Sequence, residues 1–434
     1  MPLLRPGDSF SGVYSRQNVE VLRNYASGGQ AEIYVARWDG REYALKWYKP
    51  IYRKADQELR SRLRMLIQRG APSSYFLWPE ELVERGDEFG YLMPLARADY
   101  QPLSFLLSGR LPHYYSAAIN AGLLLAENMR LLHAGGGLCY RDISDGNVLY
   151  RPDDGDIRII DNDNVSVDGT PARMLGTASY MPPEVVLRKV AASKYSDLHA
   201  LAVLLFRLLV RHHPLLGSFQ DDDSFIGVGE DERDRVLYGE RPLFIFDPDD
   251  VRNRPDPQQD RVALLLWPGL PAFIKRTFIK VFTVGLKNAA QGRVQNTTWM
   301  QDLARLRDRM FPCPGCGAQV FYDEERMMAE GRLANCWQCG VNPASPPRLR
   351  AGSHIVVLGD GARLYPHHLH GAMGFQLAAP AGEVRDGTLR NLSDTAWAVT
   401  LCSGGSERIE PGGGCRVANL GRINFGRTMG DVER

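Results

Sequence analysis

The stretch CYRDISDGNVLY, residues 139–150, holds Asp142 and Asn147 five positions apart in a polar turn flanked by apolar residues. Asp, Gly and Asn all favour turns, so ordinary turn chemistry explains this spacing when it is taken alone. The other chemistry open to these residues is phosphoryl transfer from ATP, which asks a protein for positioning and charge neutralisation more than for covalent chemistry. Further groups suited to that task occur in order along the chain. Ala26-Ser27-Gly28-Gly29-Gln30-Ala31 lies between two strand-like runs, where a tight turn can cover phosphates with its amide groups or can simply be a hairpin. Lys46 ends the apolar Tyr43-Ala44-Leu45, and Asp161 follows the strand-like IRII.

A second set of residues carries metal chemistry. Cys313-Pro-Gly-Cys316-Gly and Cys336-Trp-Gln-Cys339-Gly are separated by nineteen residues, the spacing of a zinc ribbon in which each knuckle presents two thiolates. One structural zinc per chain is expected. A redox role fits less well, because a thioredoxin-like pair needs a βαβ context and one such motif rather than two. Between Cys313 and Cys339 the acids Asp323, Glu324, Glu325 and Glu330 outnumber Arg326 and Arg332, which opposes a phosphate-binding surface and favours a structural or protein-docking knuckle. His367, His368 and His370 form a further cluster, read as a solvated polar loop or a metal site.

The whole chain narrows the classes open to these sites. Its 434 residues suffice for two or three domains with their own cores. Lys plus Arg number 52 against 51 for Asp plus Glu, so no global field attracts nucleic acid or an anionic membrane. The start, MPLLRPGDSF, lacks the pattern of a secretory signal. The apolar run from Ala200 to Val210 is broken by Arg207 and is too short for a membrane span of ~20 residues. Two Cys-x-x-Cys pairs without an export signal suit metal and a reducing cytoplasm better than disulfides, so a cytoplasmic location is expected.

The elements that must position the candidate residues follow from patterning. VEVLRNYA, AEIYVARW and REYALKWY read as strands separated by SGGQ and WDG turns. Residues 52–69 switch to helical spacing, with Leu59, Leu63 and Leu66 in register, and a long Ala- and Leu-rich helix is expected from Tyr114 to His133 before the Gly135-Gly136-Gly137 breaker. A short strand, DIRIID, precedes helical segments to about residue 310, with a Asp-, Pro- and Gly-rich insertion at 214–260 read as an ordered loop. The predicted architecture is α+β: an N-terminal extension (1–19), a small lobe (20–95), a large helical lobe (96–310), a zinc ribbon (311–342), an NPASPP linker and a small β-rich domain (349–434). The last carries VVL, GFQLAA, TLRNLS, WAVTLC and CRVANL runs between glycine turns, as a β-sandwich or barrel would.

Taken together, residues 20–310 resemble the eukaryotic-like Ser/Thr protein kinase family, whose bilobal fold the predicted order of elements matches. The resemblance rests on Lys46 after an apolar run, as in V-A-I-K, and on Asp142 and Asn147 in the H-R-D-x-x-x-x-N pattern with Tyr140 for His. Asp161 stands at the D of D-F-G, and Gly176-Thr177 with Tyr180-Met181-Pro182-Pro183-Glu184 matches the end of an activation segment. It extends to Asp197, which resembles the aspartate restraining the catalytic loop, and to Arg293, which resembles the partner of Glu184. The SGGQAEIY, WP, YLMP and FIFDPDD stretches with the cysteine tail are similar to bacterial kinases of tellurite-resistance and stress operons. LRNLSDTAW and IEPGGGCRVANLGRINFG are distantly similar to a forkhead-associated phosphopeptide-binding domain, without an assigned arginine and serine for phosphothreonine.

The resemblance implies roles. Asp142 accepts or orients the substrate hydroxyl proton, Asn147 and Asp161 hold Mg2+ (or Mn2+), Lys46 holds the α and β phosphates, and Arg141 sits where the activation segment can pair with it. Residues Ala26, Ser27, Gly28, Gly29 and Gln30 cover the phosphates of ATP. Met93 is the gatekeeper, and Pro94, Leu95 and Ala96 form the adenine hinge. Glu58, the only glutamate between Lys46 and Glu80, is by elimination the helix partner of Lys46. Departures are also visible: Ala26 and Ala31 replace loop glycines, Asn162 and Asp163 replace the Phe and Gly of D-F-G, and Ser144 stands where many relatives carry a lysine. The expected activity is ATP-dependent protein Ser/Thr phosphorylation, including autophosphorylation. Its rivals are a nucleotide-binding pseudokinase scaffold and a small-molecule kinase. Expected partners are protein substrates and operon-encoded phosphatases or adhesion-type proteins, with no nucleic acid and no membrane. The lobes, having their own core, are expected to work without the ribbon.

Overall fold

The computed structural model describes residues 2–170, 176–370 and 379–434. The small lobe is built on six antiparallel strands: β1 (Ser9–Ser11), β2 (Asn18–Ser27), β3 (Ala31–Trp38), β4 (Arg41–Tyr48), β5 (Glu81–Arg85) and β6 (Glu88–Pro94). Their order is β1-β2-β3-β4-β6-β5. The β3–β4 hairpin is fixed by Asp39-Gly40, both at positive φ (47° and 72°), the conformation that matches the twist of a two-residue hairpin. β-branched and aromatic residues bury Val19, Val21, Tyr34, Trp47 and Leu92 on one face, where Leu4 and Phe10 complete the layer.

The first nineteen residues are therefore part of this lobe and not an extension outside it. β1 pairs with β2, Gly12 bridges Val83, and the Val13 N–H donates to the Leu82 carbonyl at 2.8 Å. Glu81 accepts the N–H groups of Tyr14 and Ser15 at 3.0 and 2.7 Å, so the chain start is tied to both flanks of the sheet.

The helical stretch after β4 is split. Pro50–Ala55 and Leu59–Arg69 are separate helices, and Leu59, Leu63 and Leu66 are buried as their spacing predicts. The large lobe packs the helices Tyr115–Ala134, Lys194–Val210, Ala272–Lys287 and Asn296–Asp308 around one core. Tyr115–Ala134 and Lys194–Val210 are apolar nearly all round, as helices enclosed by neighbours must be. The 214–260 insertion holds only short helices and turns, anchored by buried Asn253, whose amide donates to the Leu215 and Leu243 carbonyls. Among the described residues no helix is long and apolar enough to cross a membrane.

The cysteine segment and the β-rich tail are not separate beads. Met310–Pro312 pairs with Gln319–Phe321, and Phe321 joins the large-lobe core, its ring 4.8 Å from that of Tyr115. Asp323 accepts the Ala272 N–H at 3.0 Å, which satisfies a donor at the first turn of helix Ala272–Lys287. On its other side the ribbon shares a core with Ile355 and Val357 of the tail. The tail is a β-sandwich of a six-stranded and a four-stranded sheet around Leu349, Leu389, Trp397, Leu420 and Ile423. Of the expected GFQLAA run, only residue 379 lies among the described residues. The independent lobes expected from sequence are thus corrected: the large lobe is closed partly by residues beyond 310.

Candidate active site

The 139–147 turn is held from below by one carboxylate. Asp197, in the first turn of helix Lys194–Val210, accepts the backbone N–H of Tyr140 at 2.6 Å and that of Arg141 at 2.9 Å, and it pairs with His133 Nε2 at 3.0 Å. These bonds hold Arg141 at φ 75°, a left-handed conformation that costs a non-glycine residue about 1–3 kcal/mol unless its surroundings fix it. Tyr140, in the histidine position, donates its hydroxyl to the Ile160 carbonyl, and the Ile160 N–H donates to Asn147 at 3.0 Å. The turn and the strand leading to Asp161 are thereby locked together.

Asp142 sits at the centre. Its Oδ1 accepts the Thr177 N–H at 2.9 Å and the Thr177 hydroxyl at 3.1 Å, and its Oδ2 accepts Asn147 Nδ2 at 3.1 Å. Gly176 permits this approach, because a Cβ there would stand 2.8 Å from the Arg141 carbonyl oxygen. Burial raises the Asp142 carboxyl above its ordinary value, and the Thr177 and Asn147 bonds only partly oppose it. Asn147 also donates Nδ2 to the Asp142 carbonyl at 2.8 Å, which leaves its Oδ1 as the oxygen suited to a hard cation. A cavity of about 460 Å³ opens beside Asp142, bounded by Arg141, Thr177, Met181, Pro182 and Val190. Residues 171–175, just before this segment, lie outside the described residues.

Lys46, on β4, reaches Asp161 Oδ1 at 3.2 Å and both oxygens of Asp163 at 3.0 Å. Burial alone would lower its pKa, but the charges of Asp163 and Asp161 outweigh it and keep the ammonium charged. Asp161 adopts a left-handed backbone (φ 55°) at the start of the Asn162–Asn164 turn, and about a third of its side chain is exposed (36%). Asn162 is buried and donates to the Leu77 and Ile159 carbonyls at 2.8 and 3.0 Å, so a polar anchor stands where D-F-G has its phenylalanine. The expectation for Glu58 is corrected: it is exposed at the start of helix Leu59–Arg69 and makes no contact with Lys46, whose buried partner is Asp163. An acid-free helix, LRSRLRMLIQR, beside an extra acid two residues after Asp161 is the sequence signal for this exchange.

The glycine turn closes with the Gly28 N–H on the Ala31 carbonyl at 2.9 Å, between Ser27 at the end of β2 and Gln30 just before β3; Lys49 Nζ binds the Gly28 carbonyl at 2.5 Å. Met93 pairs with Ala44, and with Leu95, Ala96, Leu149 and Ile160 they form an apolar layer between the lobes, the surroundings a flat heteroaromatic ring requires. Pro94 ends β6 and begins the connection between lobes. Ser144 is buried.

Away from the cleft, Glu184 and Arg293 form a bidentate pair at 2.7 and 2.8 Å with the guanidinium buried. Arg293→Met is expected to cost about 3 kcal/mol, the low end for breaking a buried pair, because Glu184 keeps some solvent; denaturant unfolding measures it.

Cys313, Cys316, Cys336 and Cys339 bring their sulfurs within 4.8 Å of one another, with 3.7 Å between Cys313 and Cys339 and between Cys316 and Cys336. Four sulfurs bonded tetrahedrally at ~2.3 Å to zinc stand about 3.8 Å apart, so the donor set fits a structural zinc. The Gly315 N–H points at Cys313 Sγ at 3.4 Å. The histidine cluster differs from its expectation as a solvated loop: His367 and His368 are buried, His370 is exposed, and His354 from a neighbouring strand replaces it. Both ring nitrogens of His368 are engaged, Nδ1 accepting the Tyr365 N–H at 3.0 Å and Nε2 meeting Asp308 at 2.9 Å.

Residues 22–234 match the family model described as Protein kinase domain. No curated protein matches the chain.

Proposed function

We propose, from the protein kinase domain carried by residues 22–234, that the chain is an ATP- and Mg2+-dependent Ser/Thr protein kinase acting on protein hydroxyls, its own included. The observation that carries this reading is Asp142, buried, bonded to Thr177 and Asn147, and open to the cavity beside the 176–184 segment. Asp142 takes the proton of the substrate hydroxyl as its oxygen bonds to the γ-phosphorus and the bond to the β–γ bridging oxygen breaks, with ADP leaving. Lys46 orients the α and β phosphates, and the 26–30 turn covers them with backbone N–H groups. Mg2+ or Mn2+ held by Asn147 and Asp161 would neutralise phosphate charge when bound. The apolar layer around Met93 and Ala44 takes the adenine, with hinge contacts from Pro94, Leu95 and Ala96. Thr177 and Met181 beside Asp142 favour an extended peptide over a small acceptor.

The four-cysteine ribbon holds one zinc and serves structure. The β-sandwich, distantly similar to forkhead-associated domains, offers a surface for protein partners, among them operon-encoded phosphatases or adhesion-type proteins. The chain fits bacterial stress-operon kinases, and the cytoplasm is the compartment that suits its thiols.

Incubation with labelled ATP and Mg2+, alone, with a generic protein and with small hydroxylated metabolites, tests the reading. Label on serine or threonine of the chain and of the protein substrate is expected. Nucleotide binding without any transfer would make the chain a scaffold, label on small molecules alone would make it a small-molecule kinase, and phosphotyrosine would overturn the specificity.

A further inference from the structure

We propose that Asp163 is the positioning residue for Lys46, taking over the anionic role that the small-lobe helix does not supply. The inference rests on the kinase reading and concerns how its phosphate-holding lysine is fixed. The helix Leu59–Arg69 contains neither Asp nor Glu. Asp56, just before it, is bound to Arg62 at 2.6 Å, and Glu58 is exposed. Asp163 meets Lys46 with both carboxylate oxygens, and its remaining capacity takes the Tyr48 hydroxyl.

A second metal ligand beside Asp161 is the rival role for Asp163, and accessibility decides between them. The Asp163 side chain is 1% exposed and enclosed by Lys46 and Tyr48, whereas that of Asp161 is 36% exposed at the cleft. A cation entering the cleft meets Asp161 first and finds Asp163 already paired. The helix keeps only an indirect hold: Arg62 Nε donates to the Asp163 backbone carbonyl at 2.6 Å. Lys46, its partner and Asp161 are thus joined through a single short turn, Asn162–Asn164, and the lysine stays paired whether or not the helix shifts.

The test uses the full chain. Asp163→Asn is expected to lower kcat/KM by about 10²-fold, the scale of a misplaced reacting group, with Mg2+ dependence unchanged. In a Lys46→Met background the same change should add little, since a residue acting through Lys46 has nothing left to position. Additive losses, or a raised Mg2+ requirement in the Lys46→Met background, would overturn the proposal in favour of a metal ligand. Labelling of Lys46 by an acyl-phosphate analogue of ATP reads the pairing directly, even in a chain without transferase activity, so failure of the kinase reading is separable. Loss of the Asp163 carboxylate frees the Lys46 ammonium from its fixed place on β4, and labelling should slow about tenfold; an unchanged labelling rate sinks the assignment. If Asp163→Asn folds poorly, the Lys46→Met/Asp163→Asn pair, which leaves no unpaired buried charge, should unfold at higher temperature than Asp163→Asn alone. A double variant no more stable than the single would count against the pairing.

Discussion

Asp142→Asn is expected to lower phosphoryl transfer by about 10²–10⁴-fold, the range that a positioned general base contributes, while nucleotide affinity changes little. Asn can still accept the Thr177 bonds through its carbonyl and Asn147 keeps its bond to the residue 142 backbone carbonyl, so the turn survives, while the proton acceptor and the Asn147 bond to Oδ2 are lost. Turnover with labelled ATP and equilibrium nucleotide titration separate the two effects; transfer at the unaltered rate would remove Asp142 from the chemistry. The pH profile gives an independent check. Burial raises the Asp142 carboxyl, and the base must be deprotonated to work, so the rate should fall on acidification at a higher pH than an ordinary aspartate would impose. Thr177→Val removes the hydroxyl bond that favours the charged carboxylate and should move this acid limb to still higher pH.

On the zinc-ribbon reading, Cys313→Ser with Cys316→Ser is expected to abolish zinc binding and to unfold the ribbon, because structural zinc supplies folding energy of about 10–16 kcal/mol in small modules. The loss should reach further than the ribbon itself. Phe321 lies in the large-lobe core against Tyr115, Asp323 caps helix Ala272–Lys287, and Ile355 and Val357 share the ribbon core. Metal analysis should show zinc gone, and thermal unfolding should show the large lobe destabilised along with the ribbon. A chain ending near residue 310 is expected to suffer likewise, since it exposes the Tyr115 face and leaves the Ala272 N–H without Asp323. Full stability of a zinc-free chain would mean that lobe and ribbon fold independently.

The parts of the site that could be read from sequence are local. Asp142 and Asn147 share one turn, Lys46 ends one strand, and each cysteine pair forms one knuckle, so spacing alone positions them. Glu58 failed because elimination presumed that a helix carries the partner of Lys46. The true partner depends on the backbone turn after Asp161, whose left-handed φ the Asp-Asn-Asp-Asn run permits without fixing which carboxylate it turns toward Lys46. The histidines failed for a related reason: His354 joins His367 and His368 only through strand packing, across a sequence gap that no period marks. Packing across positions 19 and 310 was likewise not legible, because Gly12–Val83 and Tyr115–Phe321 are contacts between distant segments.

The tie between the chain start and β5 has a consequence for association. An open sheet presents two rows of unpaired backbone groups, each a template on which another strand can add. Here β1 lies along Asn18–Glu20 at one end of β2, and Gly12 bridges Val83 of β5, so part of each row is filled from within the same chain. At those stretches the small lobe offers no open row to a peptide that binds by strand addition or to a second copy. A chain begun at residue 20 would uncover both rows at once. Such a protein is expected to aggregate at concentrations where the full chain stays monodisperse in light scattering, and charged substitutions on β2 facing the exposed row should restore its solubility.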